Sequence, residues 1–250
     1  MKSSTLATSC LYLVLAMIVV ASTGCRPNFG EKLEVNATEI YYKDGATAAD
    51  AQRLADMLEE KQFIDGKRKS VQLTKNGNVW QFRLAVARGG ITEAVKREMK
   101  VYGLELSAGF DGDPFETHLC NLKLESQAVV TGLRGKRYQL SNTIYYYNDL
   151  ELEQVKNVAA IAVGTQLNTN TGYVFHMSQP ETTIQVRMTH PTGGKGDQKL
   201  AAAAKNTAVA ASSRVFDGKQ VDVLICDPFF ETQSTHSSVK TVAPVAAPAP

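Results

Sequence analysis

In the stretch VWQFRLAVA at 79–87, Gln81 and Arg83 alternate with Trp80, Phe82 and Leu84; in IQVRM at 184–188, Gln185 and Arg187 alternate with Ile184, Val186 and Met188. Successive side chains of a strand point to opposite faces, so each Gln-x-Arg pair falls on the face away from its packed apolar neighbours. A guanidinium presents a planar fork of donors that matches a carboxylate or phosphate, and the two pairs together define a candidate binding face. The structural alternative is that Arg83 and Arg187 pair with carboxylates on neighbouring strands, Glu116 or Asp222. Surface pairs of that kind contribute only about 0–1 kcal/mol.

Other chemistry is sparse. The chain has no HExxH, no G-x-S-x-G and no phosphate loop, since GLRGKR at 132–137 lacks the Walker spacing. Its four histidines, His118, His176, His190 and His236, show no metal-ligand spacing. His118 and Cys120 share one strand face, but a metal would need further ligands there. No catalytic residue, metal or cofactor is therefore expected. A formal net charge of +2 gives no electrostatic case for nucleic acid.

These residues recur because the chain repeats itself. EIYYKD at 39–44 returns as TIYYYND at 143–149, with Ile40 over Ile144 at a separation of 104 positions (144 − 40). The same shift carries WQFRL onto IQVRM and Gly89-Gly90 onto Gly193-Gly194, while FDG at 110–112 falls on FDG at 216–218 and Cys120 on Cys226. Each unit reads strand, helix, hairpin, helix, strand. Helical spacing runs through Ala51, Leu54, Ala55 and Leu58 behind Thr47 and Asp50, an approximate capping box. NGN at 76–78 joins two strand-like runs. The expected class is α+β: two tandem β-α-β-β-α-β units of the ferredoxin-like, split βαβ kind, with antiparallel sheets ordered 4-1-3-2. The final strands would then lie at sheet edges, where the units could join into one eight-stranded sheet. The boundaries are a first repeat at 35–125, a linker at 126–138, a second repeat at 139–232 and a disordered Pro/Ala-rich tail at 233–250.

The equivalent cysteines pose a sharp question. Cys120 and Cys226 occupy the same place on the two final strands. If those strands meet, the thiols form a candidate disulfide, provided their Cα atoms come within about 7 Å; otherwise they are two separately buried thiols. The paired tyrosines of the first strands carry a similar choice between packed core rings and an aromatic platform.

The first 24 residues form a targeting segment. Lys2 precedes an apolar run, Leu11 to Ala21, that is shorter than the roughly 20 residues a bilayer core needs. STGC at 22–25 follows. This start resembles the bacterial lipoprotein signal, with Ser22 where that family most often has leucine. The resemblance implies cleavage before Cys25, lipidation of Cys25 and a tether over 25–34; without it the leader reads as an ordinary secretory signal. Arg26, in place of an aspartate, implies an outer-membrane site facing the periplasm. Both repeats, through IYY, FDG and the cysteine-bearing last strand, are similar to domains of uncharacterised bacterial envelope proteins, a resemblance that brings no activity with it.

The resulting expectation is a lipid-anchored cell-envelope protein. It would be a non-enzymatic binding or structural module with the membrane and an envelope protein as partners. The alternatives are an envelope enzyme or accessory subunit with a site between the repeats, where Glu116, His118 and Asp222 would have to converge, or a small-ligand sensor using the polar sheet face.

Overall fold

The structure, a computed structural model, describes residues 28–87, 89–168, 173–194 and 196–238. The leader, Cys25 and the segment 239–250 lie outside the described residues.

The first unit comprises β1 (Glu31–Val35), β2 (Thr38–Tyr42), α1 (Ala48–Glu60), β3 (Lys69–Asn76), β4 (Val79–Ala85), α2 (Glu93–Gly109), β5 (Phe115–Cys120) and β6 (Ser126–Thr131). The second repeats the order as β7 (Lys136–Leu140), β8 (Thr143–Tyr147), α3 (Leu152–Gly164), β9 (Val174–Ser178), β10 (Ile184–Thr189), α4 (Gln198–Arg214), β11 (Val221–Cys226) and β12 (Thr232–Ser237). The fold is thus α+β with two similar units. No helix among the described residues is long and apolar enough to cross a membrane.

Local chemistry sets the helix starts. The Thr47 hydroxyl accepts from Asp50 N–H at 3.2 Å while the Asp50 carboxylate accepts from Thr47 N–H at 2.9 Å, which completes the capping box. Thr92 and Asp197 cap α2 and α4 by accepting from Val95 and Leu200 N–H. The expected stripe Ala51, Leu54, Ala55 and Leu58 is the buried face of α1. FDG recurs because each helix must turn out through two left-handed residues: Asp111 and Gly112 have φ of 60° and 86°, Asp217 and Gly218 51° and 81°. Aspartate and glycine tolerate that region best.

The sheets depart from the ferredoxin-like expectation. Each has six strands in sequential order, β1-β2-β3-β4-β5-β6 and β12-β11-β10-β9-β8-β7. Both are mixed: β2/β3 and β4/β5 are parallel, as are β8/β9 and β10/β11, and the remaining pairs are antiparallel. The cause is the added hairpin strands. β1 turns through Asn36 and Ala37, with φ of 45° and 65°, and pairs with β2. It takes the flank that an order of 4-1-3-2 would give to the last strand of the unit. β6 likewise covers β5. The segment 126–138, expected as a linker, therefore supplies β6 and the start of β7, and the expected tail begins inside β12. The final strands are interior, and the two sheets stay separate.

The repeat register also changes. In the structure Thr38 corresponds to Thr143 and Ile40 to Tyr145, a shift of 105, because Ile40 and Tyr145 are the residues that enter the two cores. Overlaying IYY on IYY is one residue out, and one residue in a strand exchanges the faces. Tyr145 and Tyr147 are core residues; Tyr41 and Tyr146 lie on the opposite faces.

The units stack. One face of α2 (Val95, Met99, Tyr102, Leu106) packs on the first sheet. Its other face (Val101, Leu104, Ala108) packs with Ile144, Tyr146 and Val174 of the second sheet and with Phe230. On the far side of that sheet lie α3 and α4, through Val155, Val158, Ala204 and Ala208. The layers run first sheet, α2, second sheet, α3 and α4.

Candidate functional site: the open face of the first sheet

Because α1 and α2 lie on one side of the first sheet, its other side carries the alternate residues of every strand. On β2 and β3 these are Glu39, Tyr41, Ser70, Gln72 and Thr74; on β4 and β5 they are Gln81, Arg83, Glu116, His118 and Cys120. The backbone register sets Arg83 between Gln72 and His118. Gln81 and Arg83 of the candidate binding face lie here, on alternate positions of β4.

Two hydrogen-bonded groups divide the face. Around Glu39, Ser70 and Tyr41 hydroxyls donate at 3.1 and 3.2 Å, and the Lys32 ammonium stands at 3.4 Å. Burial pushes the Glu39 carboxyl up, but these hydrogen bonds together outweigh it and hold the group below its ordinary value. Around Gln81, the side-chain oxygen accepts from Arg83 at 3.1 Å and from Thr74 at 3.3 Å, and the amide donates to Glu116 at 3.3 Å. Arg83 forms no ion pair with a carboxylate among the described residues. The expected direct pairing with Glu116 is replaced by a link through Gln81.

This second group forms part of the wall of a cleft of about 530 Å³. Gln72, Thr74, Gln81 and Arg83 line it from the sheet, and Lys43, Lys75 and Lys123 from its ends. Lys75 is occupied, 3.5 Å from Asp113 and over the Trp80 ring, and Lys43 pairs with Asp44 at 3.4 Å. Arg83 and Lys123 have no acidic partner among the described residues. The chain entering β1 forms one wall: Phe29 O accepts from Gln72 at 2.7 Å, and the Phe29 ring packs on Tyr41 with centroids 5.2 Å apart. Sequence reading missed this wall, because nothing in NFG signals where an N-terminal segment will lie.

The sister pair behaves alike locally and differs in setting. Arg187 donates to Gln185 at 2.8 Å and has no ion pair with Asp222, which instead accepts from Gln220. Beside it, however, α2 packs on the second sheet and buries Tyr146, and His176 is buried beside Arg134 O and the Phe230 ring. The two Gln-x-Arg pairs therefore form no common site.

His118, almost fully buried, has Nδ1 3.1 Å from Ser126 Oγ and Nε2 3.4 Å from Glu116. Desolvation and Arg83 lower its pKa. Asp222 belongs to the other sheet, so the three groups that a site between the repeats would need do not converge. Cys120 and Cys226 are free, buried thiols in separate sheets, each donating to the carbonyl two residues back, His118 and Leu224. The candidate disulfide is corrected: β6 and β12 cover the strands that would have met. Burial raises both thiols above their ordinary pKa. Among the described residues no three His, Cys, Asp or Glu side chains are grouped to hold a metal.

What sequence reading missed is the grip between units. Arg97 on α2 bonds Asp227 at 2.6 Å and Glu231 at 3.2 Å and lies over the Phe229 ring. Its partners are about 130 residues away, and on α2 alone it reads as solvated surface.

Residues 32–126, from β1 to the first residue of β6, match the model of a family N-terminal domain. That domain family is uncharacterised. The matched stretch covers most of the first unit, so the sheet side of the cleft lies within it, while the wall at Asn28 and Phe29 lies outside it. No curated protein matches the chain.

Proposed function

We propose that the protein is a lipid-anchored, non-enzymatic binding module of the cell envelope, and that the open face of its first sheet holds a ligand or partner group bearing a carboxylate or phosphate. One observation carries the reading: Arg83, with no acidic partner among the described residues, lines a cleft of about 530 Å³ on a face that no helix of the described residues covers. A guanidinium already oriented by Gln81 loses little freedom on meeting an oxyanion, and two charge-assisted bonds are among the stronger polar contacts available. Lys123 adds a second cation without an ion pair among the described residues, with Glu125 also lining the cleft. The anchor fits this placement. Three residues separate Cys25 from Phe29, four backbone steps with a reach of at most about 14 Å, so lipidation of Cys25 would hold the open face close to the membrane surface, within the envelope.

Two measurements test the two parts separately. Intact mass of protein from its own membrane fraction should show loss of the first 24 residues and gain of acyl mass; an unmodified N-terminus would leave a secreted protein. Titration of isotope-labelled protein with citrate and with inorganic phosphate should move the amide signals of Thr74, Gln81 and Arg83, weaken with salt and fail in Arg83→Gln. Shifts scattered over surface lysines, or unchanged in Arg83→Gln, would remove the binding face.

A further inference from the structure

The seam between the units encloses a second concavity of about 270 Å³, separate from the open face. Its walls are apolar: Val101 and Leu104 of α2, Val174 of β9, and Pro191, Pro228 and Phe230 from loops of the second unit. Three polar side chains interrupt them, Glu105, Tyr146 and His190. The other polar wall residue, Thr189, is occupied, donating to Val174 O and accepting from Val174 N–H.

Tyr146 is the anomaly. It is 1 % exposed, and its hydroxyl has no hydrogen-bond partner of good geometry among the described residues. Burial and the neighbouring Glu105 carboxylate hold the phenol far above its ordinary pKa, so it is always protonated, beside Glu105 but completing no well-formed bond to it. A buried hydroxyl without a partner is costly, and a native fold seldom keeps one without use. Its counterpart on the first sheet, Tyr41, does bond to Glu39. The remaining groups define what the seam offers. Glu105 accepts, and its one ion pair, to Lys61 at 3.1 Å, leaves lone pairs free. His190 Nδ1 accepts from Thr192 and Gly194 N–H at 3.3 and 3.0 Å, which places the ring proton on Nε2 as a donor.

We infer that this seam is a binding site for a small amphipathic molecule: a body the size of one ring, carrying a hydroxyl or ammonium group. Such a head donates to Glu105, and its oxygen or nitrogen-borne hydrogens engage Tyr146; the apolar body lies against the wall of Val101, Val174, Pro191 and Pro228. A carboxylate head is rejected by Glu105. Cavities between packed units with few, convergent polar groups are a common setting for such ligands.

The test uses the mature chain and three one-ring probes, benzylamine, benzyl alcohol and benzoate, followed by shifts of the Val101, Leu104 and Val174 methyl signals. Benzylamine and benzyl alcohol should move these signals saturably at millimolar concentration, and benzoate should not. Val174→Phe, which fills the space, should abolish both responses; Val101→Phe, nearer the rim, serves the same purpose if the first variant melts early. Tyr146→Phe should weaken benzyl alcohol at least threefold with the melting temperature retained. Absence of any seam shift, equal binding of benzoate, or binding that survives a filling variant with native spectra would overturn the site.

Discussion

At the scale of single residues, the side chains differ most in how much their role depends on partners far away in sequence. Gln81 and Arg83 were readable because alternation along one strand decides their face. His176 was not. It sits on the corresponding face of β9, but there it is buried beside the Phe230 ring, and its Nε2–H donates to Arg134 O at 2.9 Å. Burial, with Arg187 adding to it, lowers its pKa to about 4. The folded state thus binds a proton less readily than the unfolded chain, whose histidine titrates near 6.5. The stability this group contributes is complete above 6.5 and is lost as pH falls toward 4, where the unfolded chain holds the extra proton. The gap corresponds to about 3 kcal/mol. In His176→Gln, which installs the residue of the sister position, Gln72, urea unfolding from pH 7 to 4 should lose that component of the acid destabilisation. Parallel slopes in the two proteins would show that His176 protonates freely in the fold.

At the scale of elements, helices and interior strands were legible and edge strands were not. Apolar spacing and caps announce α1, and β4 alternates cleanly. The strands β6, β7 and β12, reading SQAVVT, KRYQL and TQSTHS, are polar because each edge meets solvent, and polar segments between domains look like linkers. Missing them also lost the strand order, since β1 and β6 occupy the flanks that decide it. The short connection 132–135 shows the same dependence on context. Gly135 N–H donates to Ser107 of α2, and a Cβ there would stand 2.8–3.0 Å from the backbone of Tyr147. Gly135→Ala should therefore cost about 1–3 kcal/mol through forced displacement of β7 against β8. Gly164→Ala, at the end of α3 with open space around it, should be neutral or stabilise by up to about 1 kcal/mol. Thermal unfolding of the two variants separates a packing requirement at Gly135 from a general effect of losing glycine, because the second variant shares the latter alone.

At the scale of the whole molecule, stacking one unit's helix on the next unit's sheet is a head-to-tail arrangement, and such contacts do not close on themselves. Left unchecked they would continue from copy to copy. The two free ends carry the answer in their composition. Where the covered sheet presents Ile144, Val174 and Leu224, the open sheet presents Glu39, Ser70 and His118. Where α2 docks Val101, Leu104 and Ala108, α4 carries Asn206, Val209 and Ser213 at the matching positions, with Val209 47 % exposed. Both free surfaces carry polar side chains where their docked counterparts are apolar, while the fold beneath is retained. Restoring them should restore the contact. A variant with Glu39→Ile, Ser70→Val and His118→Leu on the sheet, together with Asn206→Val and Ser213→Ala on α4, should self-associate in sedimentation velocity, with a mass that rises with concentration as an open series requires. The parent chain should sediment as a monomer at the same concentrations. A variant that keeps native circular dichroism yet stays monomeric would show that these five positions are not what limits stacking to two units, and that the grip of Arg97 on Asp227 and Glu231, whose α4 counterpart is Ala202, is the decisive contact instead.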